Sequence, residues 1–211
     1  RGQLIVSSQP LSGYANDNSG KGRETIVSNE WRGKRFAIPY LRDTTVIDLY
    51  NPQDYAAAIT IYYGESTQNI QLLPGEFKQI QGEFGSNVLV LESNIDIIVG
   101  HETVQGRDSA PVPPASTDMI GMDANHYFVA ATEDNTQIVI HDLSGSVTHT
   151  LNSGEQVKSI NESQLLKGRG AIRVTADKPV NAFQYADGDG GESTAFVPVK
   201  LLKQSYGFPR S

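Results

Sequence analysis

Residues Gly168–Asp187 read GRGAIRVTADKPVNAFQYAD. Two apolar runs, Ala171–Val174 and Val180–Tyr185, flank Thr175-Ala176-Asp177-Lys178-Pro179. Asp and Pro favour turns, and short apolar runs favour strands. The simplest reading is therefore a strand, a tight turn and a second strand. The same design recurs at Ser86–His101, SNVLVLESNIDIIVGH, with Glu92-Ser93-Asn94 in the turn. A shift of 84 positions lays one stretch on the other without a gap: Val88 on Ile172, Val90 on Val174, Val99 on Phe183, His101 on Tyr185. The chain reads as two copies of one β unit.

Working outward, Ala57–Tyr63 and Gln68–Leu73 read as a hairpin. A shift of 79 carries it onto Asn135–His141 and Val147–Leu151, with Ile59 on Ile138, Ile61 on Ile140 and Gly75-Glu76 on Gly154-Glu155. Phe36–Leu41 answers His126–Ala131 at a shift of 91, which leaves extra residues near Val46–Tyr55 for a strand and turn in the first copy. Gln3–Ser7, Glu24–Asn29 and Thr44–Tyr50 read as further strands. Gly106–Ser116, with three prolines, reads as an extended linker. No stretch has sustained 3.6-residue periodicity; Gln156–Lys167 has room for one helical turn. The expected fold is all-β, two tandem antiparallel β-sandwich units related by an internal repeat. The divisions are 1–30, an N-terminal strand and loop; 31–116, unit one with its linker; and 117–211, unit two with a C-terminal strand.

Composition narrows the function. The 211 residues carry a net charge of −7 and are 38% hydrophobic. An acidic chain lacks the clustered positive field that holds nucleic-acid phosphates. Its one basic cluster, Lys21, Arg23, Arg32, Lys34 and Arg35, reads as a solvated segment. No apolar run approaches the roughly 20 residues that span a bilayer, and no signal segment opens the sequence. There is no cysteine, so disulfides, thiol catalysis and Cys-ligated zinc are excluded. Abundant amides, hydroxyls and glycine with a β-rich pattern resemble an extracellular surface protein.

Three motifs carry a family resemblance: Ala130-Ala131-Thr132-Glu133-Asp134-Asn135-Thr136, then Leu151 through Gly154-Glu155, then Thr175-Ala176-Asp177-Lys178-Pro179-Val180. In order and spacing they resemble the N-terminal β-sandwich region of the IgGFc-binding protein family and its bacterial and archaeal surface relatives. The match is close over Tyr127–Tyr185 and looser over Phe36–His101. The resemblance implies extracellular, non-catalytic adhesive or structural work, with no catalytic residues to carry over.

Candidate sites follow from side-chain chemistry. Asp187-Gly188-Asp189-Gly190-Gly191-Glu192 puts three carboxylates on a Gly-rich loop. Asp187, Asp189 and Glu192 at that spacing can converge on calcium, though acidic Gly loops are also ordinary turns. Asn16-Asp17-Asn18-Ser19-Gly20 has similar oxygens without the EF-hand spacing. With the hairpin closing at Asp142 opposite Val147, His141 and His149 fall on opposite faces, so they share no metal, and the four histidines, His101, His126, His141 and His149, read as surface or edge residues. Of the adjacent Tyr62 and Tyr63, one faces the core and one solvent. Exposed members of the set Trp31, Tyr50, Tyr55, Tyr62 and Tyr63 could stack on sugars. No nucleophile elbow or phosphate-binding loop is present, and the chain reads as no enzyme. Lone apolar strands at the two ends, Leu4, Ile5, Val6 and Tyr206, Phe208, are what strand exchange between subunits needs.

The expected function is a non-catalytic extracellular or cell-surface structural or adhesive protein. It would assemble with copies of itself or another surface protein into a filament or surface layer by terminal strand exchange. The alternative is a calcium-assisted carbohydrate-binding module, with a glycan as partner. No cofactor is required by the first reading; calcium belongs to the second.

Overall fold

The computed structural model describes residues 14–16, 23–25, 28–40, 44–82, 84–103, 109–122, 126–143, 145–158, 170–186 and 192–202. They form an all-β, sandwich-like fold of antiparallel sheets. A short hairpin, β1 (Tyr14–Asn16) with β2 (Arg23–Thr25), forms a separate two-stranded sheet whose second strand lies near Ser109–Val112.

In the first half, β8 (Leu89–Thr103) is the spine. Its opening residues pair with β3 (Gly33–Ile38) and β5 (Ala57–Tyr63), and β5 pairs onward with β6 (Ser66–Leu72). Its closing residues pair with β4 (Thr44–Tyr50) and β9 (Ser109–Val112), and β4 pairs onward with β7 (Phe77–Gln81). Successive side chains of a strand point to opposite faces. Leu89, Leu91, Ile95, Ile97 and Val99 therefore line one face along all of β8. They meet Phe36, Ile38, Ile59 and Ile61 from one wing and Ile47, Leu49 and Ile80 from the other in a single core.

The second half follows the same pairing order. Its spine is β15 (Ile172–Ala186). The opening residues pair with β10 (Ser116–Gly121) and β12 (Thr136–Asp142), which continues to β13 (Gly145–Leu151). The closing residues pair with β11 (His126–Ala131) and β16 (Glu192–Ala195), and β11 continues to β14 (Gln156–Lys158). A last short strand, β17 (Val197–Pro198), lies on β10. Just before it, the buried Phe196 fills the core between the wings. Its ring sits so close to Gly121 that a Cβ there would lie 2.3 Å from it.

The structure corrects several expectations. Thr175–Pro179 and Glu92–Asn94 are not reversals; each lies inside one continuous strand of 15 residues. The turn-forming residues mark the point where the spine changes partners and its backbone ladder lapses. There Asn94 Oδ1 accepts from Ala58 N–H at 2.8 Å, and Asp177 Oδ1 accepts from Gln137 N–H at 2.8 Å. Pro179, which has no N–H to offer, sits where none is needed, and its carbonyl accepts from Thr132 Oγ1 at 2.7 Å.

Pairing also resets the internal alignment. Ile61 faces Leu91 and Ile140 faces Val174, so the spines correspond at 83 positions, one fewer than apolar matching suggested. His126–Ala131 takes the place of Thr44–Tyr50 rather than of Phe36–Leu41, which removes the extra strand and turn near Val46–Tyr55. Part of the Pro-rich stretch is an edge strand, with Ala110 and Val112 buried and Pro111 between them. An edge tolerates proline because one row of its donors is unpaired anyway. The 12/13 hairpin closes with Asp142 opposite Gly145, not Val147. Gln156–Lys158, where a helical turn had room, is strand, and Asn29–Trp31 is a 3-10 turn.

Candidate functional site

Among the described residues, the most developed recognition surface joins the two halves. The outer face of the β11–β15–β16 wing lies along β3, the edge strand of the first half. An edge strand leaves main-chain donors and acceptors without ladder partners, and here side-chain amides serve them. Asn181, fully buried, accepts from Ala37 N–H with Oδ1 at 2.8 Å and donates from Nδ2 to Pro113 O at 2.8 Å. Gln156 clasps Tyr40 at both main-chain atoms, accepting its N–H at 2.7 Å and donating to its carbonyl at 3.3 Å. Ala115 N–H supplies the carbonyl of Arg35 at 3.0 Å.

Apolar contact fills the space between these bonds. Ala130 packs with Ala37, Val88 and Val90, while Phe128 and Phe183 reach the first half's core. Lys158 Nζ stands 4.6 Å from the centre of the Tyr40 ring, and burial lowers its ammonium pKa. At the rim the Arg35 guanidinium pairs with Glu92 at 3.1 Å and with Glu133.

His101 belongs to the same junction. Its ring meets Phe183 edge-on at 5.2 Å, is 1% exposed, and neither ring nitrogen has a hydrogen-bond partner. Burial lowers its pKa to about 4, so it is neutral at pH 7. His101 is therefore an internal residue, not the surface or edge histidine expected. The alternation of Ile97, Val99 and His101 on one face was the available signal that this one is internal.

The three family motifs converge at one corner of the second half. Asn135 takes a left-handed backbone, φ 52°, to turn from β11 into β12. Ser153 donates from its N–H to Asp134 and from its hydroxyl to Thr132 O. Gly154 N–H reaches Ala131 O, and Lys178 donates to Asp134 O. Their polar groups are spent on one another, which makes them structural.

Exposed aromatics lie on the first half. Tyr55 is 59% and Tyr62 41% exposed, while Tyr63 packs edge-on against Phe84, so the division of the adjacent pair is as expected. On the outer face of the β7–β4–β8 wing, Asp48 accepts from Gln79 at 3.2 Å, and the same amide reaches Glu102 at 3.4 Å. Burial raises the Asp48 pKa, against the hydrogen bonds that lower it. In the second half Arg173 holds Asp118 through two hydrogen bonds, 2.9 and 2.7 Å. These bonds keep that carboxyl below its ordinary pKa.

Of the residues singled out for calcium, Asp187 and Asp189 lie outside the described residues, as does the side chain of Glu192. So do the terminal strands with Leu4, Ile5, Val6, Tyr206 and Phe208 and the loop from Asp17 to Gly20. His141 is exposed and His149 lies opposite the buried Ile138, so the two do face opposite ways. The two-residue change of register preserves that parity.

The family described as IgGFc binding protein matches residues 17–210, and the chain belongs to it. None of the curated proteins matches the chain.

Proposed function

We propose that this member of the IgGFc-binding protein family is a non-catalytic structural or adhesive protein of the cell surface, built from two copies of one β unit and assembling with copies of itself. Family membership supports extracellular binding or adhesion as the general role. No helix among the described residues is long and apolar enough to cross a membrane. The observation that carries the finer reading is the junction at β3. This chain recognises a sheet edge by presenting Asn181 and Gln156 to its main-chain atoms. Main-chain recognition at edges is the chemistry by which β proteins add strands and neighbours. In this reading the terminal segments containing Leu4–Val6 and Tyr206–Phe208 are the strands exchanged between molecules. Light scattering on the chain with and without residues 1–8 tests it: assemblies that fall to monomers on trimming are expected, and monomers in both cases overturn it.

Exposed Tyr55 and Tyr62 favour a second reading, a calcium-assisted carbohydrate-binding module with its cation on Asp187, Asp189 and Glu192. Glycan binding that is lost with chelator and on Asp189→Ala, by an intact monomer, would establish it in place of the first.

A further inference from the structure

The row of residues that grips β3 has a counterpart on the first half, and that counterpart grips nothing among the described residues. Backbone bonds fix the correspondence. Asn51 donates to Glu76 O and accepts from Gly75 N–H; Ala131 does the same with Glu155 and Gly154. One step away, Tyr50 therefore stands where Ala130 stands, and Phe77 where Gln156 stands. Across the wing Tyr50 lies between Phe77 and Ile98, as Ala130 lies between Gln156 and Asn181. Gln156, Ala130 and Asn181 form the junction described above. Phe77 is 38% exposed, and Tyr50 and Ile98 are half-buried. The outer face of an antiparallel wing is ordinarily polar. An apolar row there marks an interaction surface.

The strand that would be gripped also has a second version. Arg35 and Ala37 of β3 face Glu92 and Val90; Asp118 and Ile120 of β10 face Thr175 and Arg173. Arg173 thus stands where Val90 stands. Within the molecule Val90 packs on Ala130; Phe128 is the next residue on the same face of β11 and reaches the first half's core. In the unused pair of surfaces all three positions change together: Val90 becomes Arg173, Ala130 becomes Tyr50, and Phe128 becomes Asp48. An apolar contact is replaced by a guanidinium, held on its own sheet by Asp118, whose open face would meet a tyrosine ring, with the Asp48 carboxylate beside that ring adding charge attraction. The Arg173 side chain is 55% exposed, and Met122, just past β10, is 65% exposed.

We infer that the Phe77–Tyr50–Ile98 face of one molecule docks the β10 flank of a second copy, with Arg173 against Tyr50 and Asp48. Because β17 covers the backbone edge of β10, the contact is between side chains: Ile120, Met122 and Arg173 on one side, the Phe77–Tyr50–Ile98 row and Asp48 on the other. The two surfaces differ, so the contact is heterologous and repeats into a linear array. The inference rests on the self-association proposed above and names a surface for it distinct from the terminal strands.

Sedimentation velocity of the full chain up to millimolar concentration tests it. Concentration-dependent assembly is expected, weakened ~10-fold or more by Tyr50→Glu and by Arg173→Glu, as for central interface residues. A mixture of the two variants should form a one-to-one dimer that grows no further, since each supplies the surface the other lacks. Phe77→Asp and Met122→Asp replace any variant whose circular dichroism shows it unfolded. Assembly abolished by removing residues 1–8 but unchanged by these substitutions would support strand exchange and overturn the docking face. A monomer throughout would overturn both.

Discussion

The main-chain N–H of Ala37 donates to the side-chain oxygen of Asn181, 144 positions away, at 2.8 Å. Asn181 is fully buried and its amide nitrogen reaches Pro113 O. One side chain thus serves a donor and an acceptor that no strand supplies. Asn181→Ala would orphan both, and a buried polar group without a partner costs about 1–3 kcal/mol. A loss of about 2–5 kcal/mol in urea unfolding is expected. Asn181→Asp should be no better, because a carboxylate accepts from Ala37 but cannot donate to Pro113.

His101 makes stability depend on pH. Its pKa is about 4 in the folded chain and 6.5 when unperturbed, so between these values the unfolded state binds more protons. Stability from this group is complete above about pH 6.5 and is lost as pH falls towards 4. The slope approaches about 1.4 kcal/mol per pH unit. His101→Phe should flatten that window in urea unfolding from pH 7 to 4. An unchanged slope would mean the ring is not the source.

Gly121 is small because Phe196 occupies the space a side chain would take. Gly121→Val should cost about 1–3 kcal/mol by overpacking. Phe196→Ala should cost about 3–5 kcal/mol by leaving a cavity. If the two positions share one volume, Gly121→Val with Phe196→Ala will cost less than the sum, read from thermal unfolding of all three variants.

Arg35 bridges the halves through Glu92 and Glu133, yet its side chain is 39% exposed. Exposed ion pairs contribute about 0–1 kcal/mol. Arg35→Ala should therefore fall well short of Asn181→Ala, and its effect should shrink in high salt. A larger loss would place the strength of the junction in its charges rather than its buried amides.

Apolar alternation alone identified the all-β class, the hairpins at Ala57–Leu72 and Thr136–Leu151, and the apolar runs of both spines, though not that each spine is one continuous strand. A half-buried strand shows its inward face at every second residue. The internal likeness was also readable, because the turns Leu73–Glu76 and Asn152–Glu155 both need a glycine followed by a glutamate at their third and fourth places. In each, a glutamate accepts from the first residue's N–H and a glycine takes positive φ, 69° at Gly75 and 77° at Gly154.

Tertiary structure decided what the punctuation meant. Asp177-Lys178-Pro179 has turn chemistry, but turn chemistry describes any place where ladder bonds lapse, and a strand changing partners is such a place. It also decided the junction. Asn181, Gln156 and His101 look like ordinary residues of polar or edge character in the linear chain. Their roles depend on which main-chain atoms and rings lie against them from positions far away in sequence. Local residue preferences set the elements, and only the packing of one half on the other assigned these side chains their partners.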